Sequence, residues 1–401
     1  MSPRHLDVAL CLLIFVTALA IRIMVAAPVI AGDTKFITGD DTDYYGIAIS
    51  LVTNGSFTLH GHPTAYRMPF FPLFLAFWHL LFGIAPYAIL PILLVIGGLL
   101  PVGTYLLART LGGSTWIALV AAMITAIDNY FVIFSRLYMT EVLFSLLVVT
   151  SMLAVSRLRT TYDWVWAGVA GTLLGAATLT RANFGPFVVI VLLWLVWHGR
   201  NKLRVVLPQT ALVGMIVGAM WGGWVVRNYM VFHCLIPFTT QGGNAYYGIY
   251  NDQATADDIG DRFGYWIWRI PDPPATPGKV WDEVALDQYQ RTVTREWIAA
   301  HPGKALRAAL MQVFHLWRPS FDASINYLLT VVIGLPALIG LAFYRRQPDI
   351  VLWLWFTVTM SALTITSAGM ERYQLPLRPI LAVTAVLSMT SLAQRLVRRS
   401  R

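Results

Sequence analysis

The sequence predicts an all-α polytopic membrane protein of about ten transmembrane helices, with two large extracytoplasmic loops that contain interfacial helices. Three observations carry that prediction. Of the 401 residues, 57% are hydrophobic and only 12% are charged, about half the ~25% charge of an ordinary soluble domain. The mean hydropathy is +0.63, and the apolar residues fall in runs long enough to cross ~30 Å of hydrocarbon, which takes ~20 residues of helix. The basic residues sit in short clusters between those runs. A water-soluble enzyme and a disordered chain are both excluded. The net charge of +9 does not point to nucleic acid, because its clusters lie where a polytopic protein sets its orientation.

The expected spans lie near 6–27, 86–108, 116–137, 139–157, 164–180, 183–198, 205–226, 325–344, 350–368 and 374–394. Arg22, inside the first run, favours a retained span over a cleaved signal peptide. The stretch PFFPLFLAFWHLLFG at 69–83 has fifteen residues and two prolines, so it reads as a helix lying in the interface. Orientation follows from charge. With both termini in the cytoplasm, the inside holds thirteen basic residues against three acidic, and the outside sixteen against seventeen, accounting for all 29 basic and 20 acidic residues. Counting 69–83 as a span would move the basic loops HGRNKLR and YRRQ outside. Residues 1–226 then form an N-terminal catalytic transmembrane module that includes a first outer loop, 28–85. Residues 227–324 form a second extracytoplasmic loop, and 325–401 the last helices and a cytoplasmic tail. Loops of such length are more often functional elements than connectors.

Within the first loop, GDDTDYYGIAISLVTNG sets Asp40, Asp41 and Asp43 before a helical pattern in which Tyr44, Ile47, Ala48 and Leu51 share a face and Gly55 ends the helix. An acid here caps a helix N-terminus, yet three acids exceed what a cap requires. An ionised aspartate is also the side chain that accepts a hydroxyl proton. Arg67, directly ahead of the interfacial helix, lies where a phosphate headgroup would be met, or where an arginine simply snorkels. His60 and His62 in HGH lack a third partner for zinc and read as loop histidines. Cys11 and Cys234 have neither disulfide nor metal spacing. Along the third span, Asp128 is expected about twelve residues into a helix, where an ionisable group is costly and faces the protein interior. Arg136 and Glu141 follow near the outer end, Arg181 ends the fifth span, and GMERYQLPLRP adds Glu371, Arg372 and Arg378. Acids from one loop and arginines from several helices thus gather at one mouth.

These residues resemble the GT-C glycosyltransferases, in particular the bacterial relatives of protein O-mannosyltransferases in glycosyltransferase family 39, which include aminoarabinose-transferase-like enzymes. Asp40-Asp41, Tyr44 and Ala48 keep the family's spacing of an acidic pair, a tyrosine and an alanine after the first span, with Asp where Glu is common at the second position. Asp128-Asn129, Ser135-Arg136 and Glu141 are similar to its D-N, S-R and acid pattern, with Glu replacing the usual Asp. TAYRMPFFPLFLAFW, RNYMVFHCLIPFTTQGGNAYYGIYN, WIAAHPGKALRAALMQVFHLWRP and MERYQLPLRP look like further family segments. The resemblance implies a transferase of the bacterial inner membrane that moves a sugar from a polyprenyl-phosphate carrier to an extracytoplasmic lipid, polymer or protein acceptor, with no nucleotide or other cofactor. Carried over, Asp40 becomes the general base with Asp41 beside it. Arg136, Arg181 and Arg372, with Arg67, become donor-phosphate partners. Tyr44, Asp128, Glu141, Asn244, Glu371 and Tyr373 support them, and no metal set is implied. A transporter or flippase for a lipid-linked anion is the alternative reading, against which stand the long outer loops and the absence of evident inverted repeats.

The topology is testable with single cysteines at Thr42 and Ser400 in a chain lacking Cys11 and Cys234. In intact cells an impermeant thiol reagent is expected to label Thr42→Cys and to leave Ser400→Cys untouched; the reverse pattern would overturn the orientation.

Overall fold

In hydrocarbon every backbone N–H and C=O has to be paired within its own segment, so apolar runs of this length become helices. The computed structural model describes residues 3–31, 39–85, 87–256, 282–318, 346–367 and 369–399, with isolated positions between 334 and 344. The first half contains α1 (Pro3–Ile30), α2 (Asp41–Asn54), a hairpin of β1 (Thr58–Leu59) and β2 (His62–Pro63), α3 (Phe70–Phe82), α4 (Leu90–Thr110), α5 (Thr115–Ile127) and α6 (Asn129–Phe134). There follow α7 (Glu141–Thr161), α8 (Trp164–Thr180), α9 (Gly185–His198), α10 (Leu203–Phe232), α11 (Gly242–Tyr247), α12 (Glu283–Ala300), α13 (Pro302–Trp317), α14 (Pro348–Leu363) and α15 (Arg378–Arg399), with 3-10 turns at Ala182–Phe184 and Glu371–Leu377 among the connections.

This is an all-α polytopic membrane protein. Among the described residues α1, α4, α7, α10, α14 and α15 are long and apolar enough to cross a bilayer, while α5, α8 and α9 occupy three further expected spans as shorter apolar helices. The eighth expected span, 325–344, lies outside the described residues but for isolated positions. At 13 residues, α3 rises ~20 Å and is too short to cross. It buries Phe71, Leu75 and His79 and exposes Leu73, Phe77 and Leu80, an apolar outer face suited to lipid.

The third expected span is two helices. α5 stops at Ile127, and Asp128 turns the chain with an extended backbone while its carboxylate accepts the Tyr130 N–H at 3.0 Å to start α6. Asp128 is therefore an N-cap at a break, not a charge midway along a continuous helix. Counting apolar letters cannot show this, because apolar residues flank Asp128-Asn129 on both sides and the stretch reads as one span. Arg378, the first residue of α15, grips both carboxylate oxygens at 2.7 and 2.9 Å. Arg22 closes the other side of the break. Fully buried, it donates to the carbonyls of Ala18 and Ala126 at 3.0 and 3.3 Å and to Ser135 Oγ at 3.1 Å. The approach depends on Gly97 of α4, where a Cβ would overlap Ser135 Oγ and come within 2.6 Å of Arg22 Nε.

α2 follows its pattern. Tyr44, Ile47 and Ala48 are buried, and Gly55 closes the helix at φ 63° with its N–H on the Leu51 carbonyl. In the hairpin, Leu59 pairs with His62 across His60 and Gly61, both at positive φ, the signature of a tight two-residue turn. Its two histidines are exposed.

Asp128→Asn tests the break. Asparagine caps as well as aspartate, so the substitution isolates the loss of charge opposite Arg378. Breaking a buried ion pair costs ~3–5 kcal/mol, and we expect a clear fall in the detergent unfolding midpoint. Asp163→Ala, which removes the cap on Val165 N–H at 2.9 Å, should cost about 1 kcal/mol.

Candidate active site

At one end of the bundle a cavity of about 210 Å³ is lined by Asp40, Tyr44, Arg67, Glu141, Arg181 and Arg372, among others. The Asp40 carboxylate lies at its centre, with Arg67 Nη2 2.9 Å from Oδ1 and Arg372 Nη2 2.9 Å from Oδ2. The two guanidinium groups come from opposite ends of the chain. Burial would raise the Asp40 pKa, but Arg67 and Arg372 outweigh it and hold the carboxyl below the ordinary range. The group stays ionised.

Arg67 is fully engaged. Its Nε and Nη2 donate to Asp43 Oδ2 at 3.1 and 2.8 Å, and its Nη1 donates to Gln241 Oε1 at 3.3 Å. Its guanidinium also lies over the rings of Tyr44 and Tyr66, at 4.9 and 5.1 Å. Asp43 thus pairs with Arg67, and the first turn of α2 has no side-chain cap on its N-cap residue Asp40. Asp41, expected beside the base, is 3% exposed in that turn and does not line the cavity. An αR backbone at Asp40 sends two successive side chains to different sides.

A second charged group faces the first. Arg181 Nη2 is 2.7 Å from Glu141 Oε1, its Nε donates to Thr140 Oγ1 at 2.9 Å, and Arg372 Nε is 3.9 Å from the same glutamate oxygen. Tyr373 lies under both arginines, 5.3 Å from Arg181 and 5.5 Å from Arg372. Several groups have hydrogen-bonding capacity to spare: Arg181 Nη1, Arg372 Nε, Asn183 Oδ1 and Oε2 of the 1% exposed Glu141 have no hydrogen-bond partner. Buried polar atoms in that condition are costly, which is how a site awaiting a polar ligand looks.

Besides Asp41, four of the expected residues stand elsewhere. Arg136 donates to the Val25 carbonyl at 3.2 Å and does not line the cavity. Asp128 belongs to the helix break, and Glu371 accepts from Tyr130 OH at 2.5 Å beside it. Asn244 donates to Tyr66 OH at 3.1 Å, behind Arg67. Sequence reading missed Gln241, Thr140 and Asn183, neutral residues without a charge signal, and it missed Glu283. Glu283, in the first turn of α12, accepts from Thr64 Oγ1 at 2.6 Å, from the Ala65 N–H at 2.7 Å and from Thr240 Oγ1. Arg227 of α10 donates to the carbonyls of Thr64 and Phe57 at 2.7 and 2.9 Å. These bonds fix the strand of backbone that delivers Arg67. Among the described residues no three His, Cys, Asp or Glu side chains assemble for a metal ion.

Comparisons with known proteins agree with this architecture. Residues 62–224 match the family model described as dolichyl-phosphate-mannose-protein mannosyltransferase. The crystal structure of the Archaeoglobus fulgidus oligosaccharyltransferase in its apo form superposes on 99% of the chain with a TM-score of 0.60 at 12% identity. The chain shares its fold with that archaeal enzyme. The archaeal oligosaccharyltransferase AglB from the same organism, in complex with an inhibitory peptide and a dolichol-phosphate, matches 99% of the chain with a TM-score of 0.59 at 12% identity. ArnT from Cupriavidus metallidurans, bound to undecaprenyl phosphate, gives a TM-score of 0.43 at 12% identity over 95% of this chain and 77% of its own. The chain spans about half the length of the archaeal enzymes, 52% and 51%. No characterised protein sequence matches it. The Asp40 cavity is built by the first loop, the start of α7, the end of α8 and the turn before α15.

The Glu283 clamp can be read by amide exchange. In Glu283→Ala the Ala65 N–H loses its acceptor, so a peptide covering 64–68 is expected to take up deuterium faster than in the parent. Unchanged uptake would show that the clamp does not order this segment.

Proposed function

We propose that the protein transfers a sugar from a polyprenyl-phosphate carrier to a hydroxyl-bearing acceptor, a glycolipid, a polymer or a protein, with Asp40 as general base and the cavity open to the extracytoplasmic side. The observation that carries this reading is the ionised Asp40 carboxylate held between Arg67 and Arg372 beside a third arginine with unused donors. The acceptor hydroxyl loses its proton as its oxygen attacks the anomeric carbon, and Asp40 is the base in reach of the cavity. The bond that breaks joins the anomeric carbon to a phosphate oxygen, so negative charge grows on the departing phosphate. Arg181 Nη1 and Arg372 Nε are unspent donors suited to that charge, and guanidinium groups bind phosphate through paired N–H donors. Arg67, with all its nitrogens taken, positions Asp40. Glu141 and Asn183 offer acceptors for sugar hydroxyls.

An outward-facing site has no supply of cytoplasmic nucleotide sugar, which favours a donor carried across the bilayer on a lipid. The AglB complex holds a dolichol-phosphate, the same chemical class.

Purified protein given a polyprenyl-phosphate sugar should release polyprenyl phosphate and glycosylated acceptor with no nucleotide present. Asp40→Asn should cost ~10²-fold or more in rate, more than the lowered detergent stability from its loss of two ion pairs accounts for, while Asp41→Asn should stay active. Because the Asp40 pKa is depressed, the acid limb of kcat/KM should fall below the ordinary ~3.9 of an aspartate. Removing one cation in Arg67→Gln leaves burial less opposed, and the limb should rise. Full activity in Asp40→Asn, or transfer that requires a nucleotide sugar, would refute the proposal.

A further inference from the structure

The opposite end of the bundle holds a larger cavity, about 860 Å³. α7 runs from one to the other: Glu141 at its start lines the first, and Arg159 near its end lines the second. Eighteen residues of helix at ~1.5 Å each put ~27 Å between them, close to the thickness of the hydrocarbon layer. The second cavity therefore lies at the level of the other leaflet's headgroups.

Its lining is graded. At the helix ends stand Arg109 of α4 with Arg157 and Arg159 of α7, together with Asp7 and Asp349. Each aspartate answers one arginine: Arg109 Nε is 3.4 Å from Asp7 Oδ1, and Arg159 Nη2 is 3.0 Å from Asp349 Oδ2. Arg157 is exposed and has no ion pair among the described residues, so one positive charge is left over. Arg159 Nε, whose ion pair runs through Nη2, is buried without a hydrogen-bond partner. One to two turns deeper the lining becomes apolar, with Leu106, Leu153 and Leu173 from three helices, and Leu106 is 43% exposed. A cationic rim over an apolar slot matches a molecule that is anionic at one end and a hydrocarbon below it. Basic pockets between transmembrane helices bind phospholipid headgroups by this arrangement, and the volume lies in the range of ligand cavities.

We propose that this cavity binds an anionic glycerophospholipid, its phosphate on Arg157 and the free Nε–H of Arg159, and an acyl chain along Leu106, Leu153 and Leu173. The site is separate from the Asp40 cavity and does not depend on what that cavity catalyses.

Full-length protein, delipidated in detergent, is titrated with dioleoyl phosphatidylglycerol or dioleoyl phosphatidylcholine, and bound lipid is counted by native mass spectrometry. A phosphatidylglycerol bearing a diazirine in its acyl chain then maps the site by cross-linking. We expect several-fold greater retention of phosphatidylglycerol and cross-links on peptides of α7 and α8 near Leu153 and Leu173. Arg157→Gln should lose most of that preference, Arg157→Lys should keep it in part, and Asp40→Asn should leave it unchanged. Equal retention of the two lipids, cross-links only at the Asp40 end, or no effect of Arg157→Gln would overturn the proposal. So would displacement by millimolar inorganic phosphate, which would mark a free-anion site, or preferential binding of polyprenyl phosphate, which would mark a carrier site.

Discussion

The Asp40 carboxylate, gripped on one oxygen by Arg67 and on the other by Arg372, is the contact on which the arrangement of the cavity depends. It joins the first loop to the turn before the last helix, more than three hundred residues apart in sequence. A buried carboxylate is tolerated only when its charge is answered, and the two arginines are themselves held. Arg67 is fixed by Asp43, Gln241 and the Glu283 clamp, and Arg372 by the ring of Tyr373 and the nearby Glu141. Each charge is located by the next, so the loop, the second extramembrane segment and the helix ends adopt one mutual geometry.

A second charged layer lies behind the first and has a different task. Asp128, Arg378, Tyr130 and Glu371 interlock at the break between α5 and α6, with Arg22 on the far side. Their contacts are to protein groups that close a helix end or balance a charge. The layer around Asp40 keeps unused donors and acceptors, whereas this one spends most of its capacity on the fold. The contrast separates a site from its support more sharply than burial does, since Asp128 and Glu141 are both almost inaccessible.

Much of the architecture was legible because the bilayer imposes a simple rule: long apolar runs must be helices, and short ones cannot cross. The interfacial α3 and the amphipathic α2 with Gly55 at its end were visible for that reason. The break at Asp128 was not, since apolar residues continue on both sides of it and only the partners of Asp128 reveal the turn. In the site, charged residues at helix ends announced themselves, and Asp40, Arg181, Arg372 and Glu141 do converge. Their division of labour was not readable. Which of two adjacent aspartates faces the cavity depends on a backbone angle, and Arg136 and Arg181 look alike as letters although only one reaches the cavity. Gln241 and Glu283 carried no signal because their importance lies in contacts across 174 and 218 positions of sequence.

The charge balance of the cavity bears on the proposed chemistry. Arg67, Arg181 and Arg372 face Asp40, Asp43 and Glu141, so the unliganded site is close to neutral and stable without a substrate. A sugar linked through a phosphodiester brings about one negative charge, and the released phosphate monoester carries ~1.5–2 at neutral pH. The charge that must be stabilised therefore grows along the reaction. Arg181 and Arg372 each keep one N–H unspent in the resting state, and donors already in place for charge that develops later lower the barrier without tightening the ground state. Proton and phosphate are linked through Arg372. In the proposed reaction its Nη2 holds Asp40 Oδ2 while its Nε is left for the phosphate, so base and leaving group share one guanidinium.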